Sequence, residues 1–131
     1  MAFSYFYFSL LIIEMKISFK DNTITCVDEC DNYKKHLPLF TSFTEIDILK
    51  DGRLLICEDY YHFESKEKSN LYCLNRSLGI DWFLPLPNLG FDDWYVGFTT
   101  HGENVFANSW NGFRVEVDIE TGTLKDVIFT K

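Results

Sequence analysis

Apolar and polar positions alternate in short runs over most of the chain, and a period of two marks half-buried β-strands. Residues 45–50 (EIDILK) turn at Asp51-Gly52 into 53–58 (RLLICE), a strong hairpin signal. A longer stretch, 59–69 (DYYHFESKEKS), leads to 70–75 (NLYCLN), which 76–79 (RSLG) turns into 80–86 (IDWFLPL). The rhythm returns in 94–100 (WYVGFTT), 104–109 (NVFANS), 113–118 (FRVEVD) and 123–129 (TLKDVIF), separated by His101-Gly102, Asn111-Gly112 and 119–122 (IETG). Upstream it reads 14–20 (EMKISFK), Asp21-Asn22, 23–28 (TITCVD) and 33–39 (YKKHLPL). Phe, Tyr, Val, Ile and Thr dominate these runs, which favours strands over helices.

Two runs predict different surroundings. In 71–74 both alternating sets are apolar, Leu71 with Cys73 and Tyr72 with Leu74, so that strand is expected to be covered on both faces. In 114–117 one set is Val115 and Val117 and the other is Arg114 and Glu116, so one face is expected to meet water.

Two of the three prolines lie in identical triplets, Leu37-Pro38-Leu39 and Leu84-Pro85-Leu86. At the same offset Cys26 meets Cys73, Ile24 meets Leu71, Asp28 meets Asn75 and Asn32 meets Gly79. A third copy aligns Asp118 with Asn75 and Gly122 with Gly79, while upstream Gly52 aligns with Gly102. These matches leave an insertion in the second copy near Tyr61 to Glu67. The chain thus reads as one all-β domain, 1–131, of three antiparallel, blade-like repeat units at about 1–40, 41–87 and 88–131. Four short strands per unit is the blade pattern of propellers. A closed ring usually needs four or more blades, so three predict a half β-propeller or a stack of twisted sheets. The glycine of the third-strand to fourth-strand turn, Gly79 or Gly122, is expected to supply a positive φ, and the triplets are expected to be closing edge strands.

Residues 104–129 (NVFANSWNGFRVEVDIETGTLKDVIF) resemble a blade of the PQQ-like and quinoprotein-like β-propellers. Asp118, Thr121 and Gly122 match the short D-x-x-T-G turn of those blades, and Trp82 resembles the tryptophan of their last strand. The match is degraded in the first two units. It concerns architecture; no quinone-binding pattern accompanies it, so the resemblance implies no cofactor and no active site here.

Composition narrows the function. Aromatic residues make up 18% of the chain, which excludes disorder. The net charge of −8 repels nucleic acid and favours a basic partner. Cys26, Cys30, Cys57 and Cys73 lack the two close pairs of a zinc site and are expected to be reduced thiols in the cytoplasm. Residues 1–14 (MAFSYFYFSLLIIE) carry no basic leader region or cleavage site, and the apolar run is too short to span a bilayer as a helix. They are either a strand of the fold or a non-native extension ahead of a start at Met15. His36, His62 and His101 lie in different units, and no phosphate loop, nucleophile elbow or metal motif is present, so no catalytic residues, metal or cofactor are expected.

In a blade architecture one rim collects Asp21, Asn22, the inserted loop, the linkers between units and the turn at Trp110. That rim brings Asp59, Tyr60, Tyr61, His62, Glu64 and Glu67 together with Asp92, Asp93 and Trp110. Aromatic anchors among carboxylates suit a protein partner of basic charge. Trp94, by contrast, opens a strand and is expected in the core. In size, charge and lack of chemistry the chain looks like bacterial immunity proteins, in particular those of contact-dependent growth inhibition systems. That resemblance implies an antitoxin that blocks a cationic nuclease, such as an RNase A-like toxin, by filling its active site, with no contact to nucleic acid or membrane. The rival expectation is a ligand-binding or enzymatic piece of a larger PQQ-like propeller.

Overall fold

Runs rich in β-branched and aromatic residues fold into strands wherever a turn residue lets the chain reverse. A computed structural model describes residues 4–10, 13–28, 30–61, 63, 68–87 and 93–130. Sheet I holds β1 (Ser4–Leu10), β2 (Ile13–Lys20), β3 (Thr23–Val27) and β4 (Tyr33–His36). Sheet II holds β5 (Phe43–Ile48), β6 (Leu54–Glu58), β7 (Leu71–Leu74) and β8 (Ile80–Phe83). Sheet III holds β9 (Tyr95–His101), β10 (Asn104–Ser109), β11 (Phe113–Asp118) and β12 (Thr123–Phe129). Each sheet is an antiparallel meander in chain order, and none closes into a barrel. Among the described residues no helix is long and apolar enough to cross a membrane. The aromatic N-terminal run is the edge strand β1, paired with β2 from Ser4 opposite Phe19 to Leu10 opposite Ile13.

The sheets are layered I–II–III, with one core in each gap. Alternation along the middle sheet feeds both. Leu55, Cys57, Leu71 and Cys73 pack against Tyr95, Phe98, Val105, Ala107, Val115 and Val117 of sheet III. Leu54, Ile56, Tyr72 and Leu74 pack against Ile17, Ile24 and Cys26 of sheet I. Every residue of β6 and β7 is buried, as the two-sided apolar pattern predicts. On β11 Val115 and Val117 are buried. Arg114 and Glu116 lie on the outer side, where the Arg114 guanidinium covers the Phe106 ring at 4.4 Å.

The repeat is built from one local device. Asp28 Oδ1 accepts the N–H groups of Cys30 and Asn32, and Asn75 Oδ1 accepts those of Ser77 and Gly79. The side chain thereby closes the turn that the backbone begins. The positive φ falls on Asp31 (62°) and Leu78 (64°), not on Gly79 as the sequence suggested. In sheet III the turn is one residue longer, with Gly122 N–H bonded to Asp118 C=O, and Gly122 takes the positive φ (72°). Gly122 has a second constraint. A Cβ there would meet the Trp82 ring at 2.3 Å, and Trp82 Nε1–H donates to the Ile119 carbonyl at 3.2 Å. The indole of sheet II is seated on the turn of sheet III.

The Leu-Pro-Leu triplets are not closing strands; β4 ends at His36 and β8 at Phe83. Nor are they equivalent in space. Sheet I keeps strict register, Ile24 opposite His36, whereas sheet II has a bulge between Cys73 and Leu74. The extra residue turns Phe83 towards sheet I and lets Leu84 N–H bond to the Leu71 carbonyl. The spatial counterpart of His36 is therefore Leu84, which is fully buried, while Leu37 is 60% exposed.

Candidate functional site

The loop ends of the three sheets meet along one rim, held by bonds between segments far apart in sequence. Asn22 Oδ1 accepts the N–H of Phe43, Asp59 N–H donates to Ser42 C=O, and Trp110 N–H donates to Trp94 C=O. Thr41 Oγ1 donates to the Asp59 carbonyl at 2.7 Å. These bonds fix where the inserted loop leaves β6.

From that base the loop divides its aromatic residues. Phe63 turns inward and is buried, edge-on to Phe40 at 4.6 Å and against Trp94 at 4.7 Å. Trp94 lies just ahead of β9, half-buried on Phe63 and outside both core clusters, so it is not the core residue the sequence suggested. Tyr60 lies against Trp110, ring centres 5.1 Å apart. Trp110 is 55% exposed and Tyr61 65%. Asp59 Oδ1 accepts the Tyr61 N–H at 2.9 Å, a local turn that presents Tyr61 outward. Of the residues expected on this surface, Asp59, Tyr60, Tyr61 and Trp110 are brought together. His62, Glu64, Glu67 and Asp92 lie outside the described residues.

Asp93 corrects the expectation. It is 1% exposed, and its Oδ1 accepts the Asn111 N–H at 2.8 Å. It positions the turn that carries Trp110 and is not available as a contact. The reason is tertiary: the β10–β11 turn folds back to Asp93 and places the Asn111 amide on its carboxylate.

Behind the rim is a polar centre that sequence reasoning missed. Glu58, the last residue of β6, is fully buried. Its Oε1 accepts the N–H groups of Phe40 and Thr41, and its Oε2 accepts that of Leu39 and the Tyr72 hydroxyl at 2.5 Å. Three successive backbone amides form a nest around the carboxylate. Tyr72 has one hydroxyl proton, given to Glu58, so His36 Nε2 at 2.8 Å must carry a proton and donate to the phenol oxygen. Burial lowers the His36 pKa, partly opposed by Glu58. Burial raises that of the Tyr72 phenol, with Glu58 adding to the shift. An available signal was a lone acid closing a strand that is otherwise apolar on both faces. Asn70 plays the corresponding part at the next gap. It is fully buried, its Oδ1 accepts Tyr95 N–H, and its Nδ2 donates to the carbonyls of Tyr95 and Glu58.

Cys57 and Cys73 are buried free thiols whose pKa values burial pushes up to about 12, so they are protonated and inert. Among the described residues no group of His, Cys, Asp and Glu is placed to hold a metal ion. At the opposite end, a cleft of about 440 Å³ between sheets II and III is lined by residues including Asp47, Asp51, Asp118 and Lys125. A Lys50–Glu103 ion pair of 2.9 Å crosses its lining. No family model matches the chain, and no match is found among curated proteins.

Proposed function

We propose that the chain is a small acidic protein-binding module that inhibits a cationic nuclease toxin by occluding its active site, as an immunity or antitoxin protein does. The observation that carries this reading is exposed Trp110 stacked on half-buried Tyr60, with exposed Tyr61 beside it, on a rim anchored by Asp59 and Asp93. Rigid aromatic side chains give contact area at small entropic loss, and the net charge of −8 steers a basic partner onto them. Inhibition needs no chemistry of its own: the acidic loop occupies the cleft that would hold phosphate. Three meanders in series, with Trp82 of one seated on Gly122 of the next, support reading the scaffold as a half β-propeller of the PQQ-like blade type.

The test is to seek a cationic nuclease among the products of neighbouring genes, purify the chain with it and titrate the nuclease on RNA. Inhibition complete near equimolar ratio, lost in a Tyr60→Ala, Trp110→Ala double variant, is expected. A nuclease that stays active in molar excess of the chain refutes the reading.

A further inference from the structure

Each meander ends on an edge strand, β4, β8 and β12, and these three edges differ. β4 and β8 are four residues long, and each is followed at once by Leu-Pro-Leu. β4 also carries Lys34 and Lys35, and short, charged, proline-stopped strands are the usual protection against edge pairing. The inner edge of sheet III is covered from sheet II, where Glu45 Oε2 accepts the Phe98 N–H at 3.2 Å. β12 keeps its charges and a bulge at its first half, around Lys125 and Asp126, but its second half has neither a charge nor a proline stop. It is seven residues long, contains no proline, and exposes Val127 (37%), Ile128 (53%) and Phe129 (58%).

The backbone of that edge is oriented for pairing. Thr130 N–H donates to the Gly112 carbonyl, so Thr130 faces β11. Alternation then turns Ile128 and Asp126 towards β11, and the N–H and C=O groups of Val127 and Phe129 away from it. Consistent with this, the Val127 N–H is met by the carboxylate of its own neighbour Asp126 at 2.9 Å. Charge then selects the occupant. Asp126 stands directly opposite Glu116, two like charges side by side, and Lys125 at 3.7 Å from Glu116 is the cation that offsets them. A cation placed opposite Asp126 by an added strand would complete the balance. The edge is continuous with the rim, because Phe129 packs on Phe113 at 5.1 Å beside the turn that carries Trp110.

We propose that the outer edge of β12, which pairs with no strand among the described residues, is a strand-docking site for an extended cationic segment of a protein partner, with Lys or Arg opposite Asp126 and an apolar residue opposite Ile128. The partner's basic character rests on the function proposed above; the edge geometry does not. A second copy of the chain is the poorer occupant, since each copy carries −8.

The probe is a blocked octapeptide of alternating lysine and valine, with a glutamate-for-lysine peptide as control. Amide exchange by NMR is expected to slow about tenfold at Val127 and Phe129 with the lysine peptide and to stay unchanged with the control. Val127→Pro removes an outward N–H without touching the β11 ladder and is expected to abolish the effect while the remaining amide spectrum is retained. Asp126→Lys, which leaves the backbone intact, is expected to reverse the preference between the peptides. Equal response to both peptides, protection elsewhere than β12, or unchanged binding by Val127→Pro overturns the proposal. So does protection of the same amides by concentration alone, which would assign the edge to self-association. Nuclease inhibition separates the two readings. If the chain fails to inhibit while the peptide docks on β12, only the toxin reading falls; if Val127→Pro and Asp126→Lys inhibit fully and the peptide does not dock, only the docking site falls.

Discussion

The gap between sheets I and II and the gap between sheets II and III are built from the same repeat yet close differently. At the first, His36 meets Tyr72 and Glu58, and a backbone nest at 39–41 wraps the carboxylate. At the second, Leu84 occupies the place of His36 and Trp82 seats on Gly122, and the buried polar group is a single uncharged side chain, Asn70, bonded to Tyr95. One bulged residue in β8 makes the difference by changing which side chain faces the gap. A polar closure fixes a linker in one conformation, because each stranded donor is penalised. An apolar closure contributes burial and tolerates small adjustment. The charged closure lies where the inserted loop leaves β6, and it fixes the start of that loop.

Glu58→Ala is the most severe way to break the first closure. It strands three amides and a phenol in the interior at about 1–3 kcal/mol each, more than a domain of marginal stability can lose. Chemical denaturation should show a chain largely unfolded or destabilised by about 4 kcal/mol or more, with Glu58→Gln retaining part of the loss. If Glu58→Ala is as stable as the parent, the nest is not a structural anchor. The second closure is broken by Leu84→Ala, expected to lose about 2–5 kcal/mol, while Leu37→Ala at the sequence-matched position stays within about 0.5 kcal/mol. Equal losses would mean that the triplets are equivalent after all. Gly122→Ala combines a positive φ with a collision on the Trp82 ring. A loss of about 1–3 kcal/mol is expected, with a shift in tryptophan fluorescence reporting the displaced indole.

The smallest effect distinguishes the gaps by pH. His36 is held neutral by burial, so its folded pKa lies below its unfolded value near 6.5. Above that value both states are neutral and the group contributes no pH dependence. As pH falls through it the unfolded chain takes up the proton first, and stability declines until the folded pKa is passed. His36→Leu, which copies the apolar gap, should flatten stability against pH between about 7 and 5. An unchanged slope would assign the dependence to other groups.

Much of this was written in the alternation. The all-β class, the places of β5 to β12, the middle strand apolar on both faces and the positions of the turns after Asp28, Asn75 and Asp118 depend on neighbours within a few residues, which a single chain displays. Tyr61 and Trp110 could be named as exposed aromatics for the same reason: they sit in turns that no periodic strand claims. Only the tertiary structure decided the rest. Whether Asp93 faces water or an amide depends on the β10–β11 turn folding back to it, and whether Phe63 joins the loop surface or the core depends on Phe40 and Trp94. The matched triplets lost their equivalence to a bulge, because one added residue reverses every side chain beyond it and nothing local marks where it falls. Glu58 gains its meaning only when the linker at 39–41 is folded over it: a buried carboxylate is tolerable solely where donors from distant segments converge.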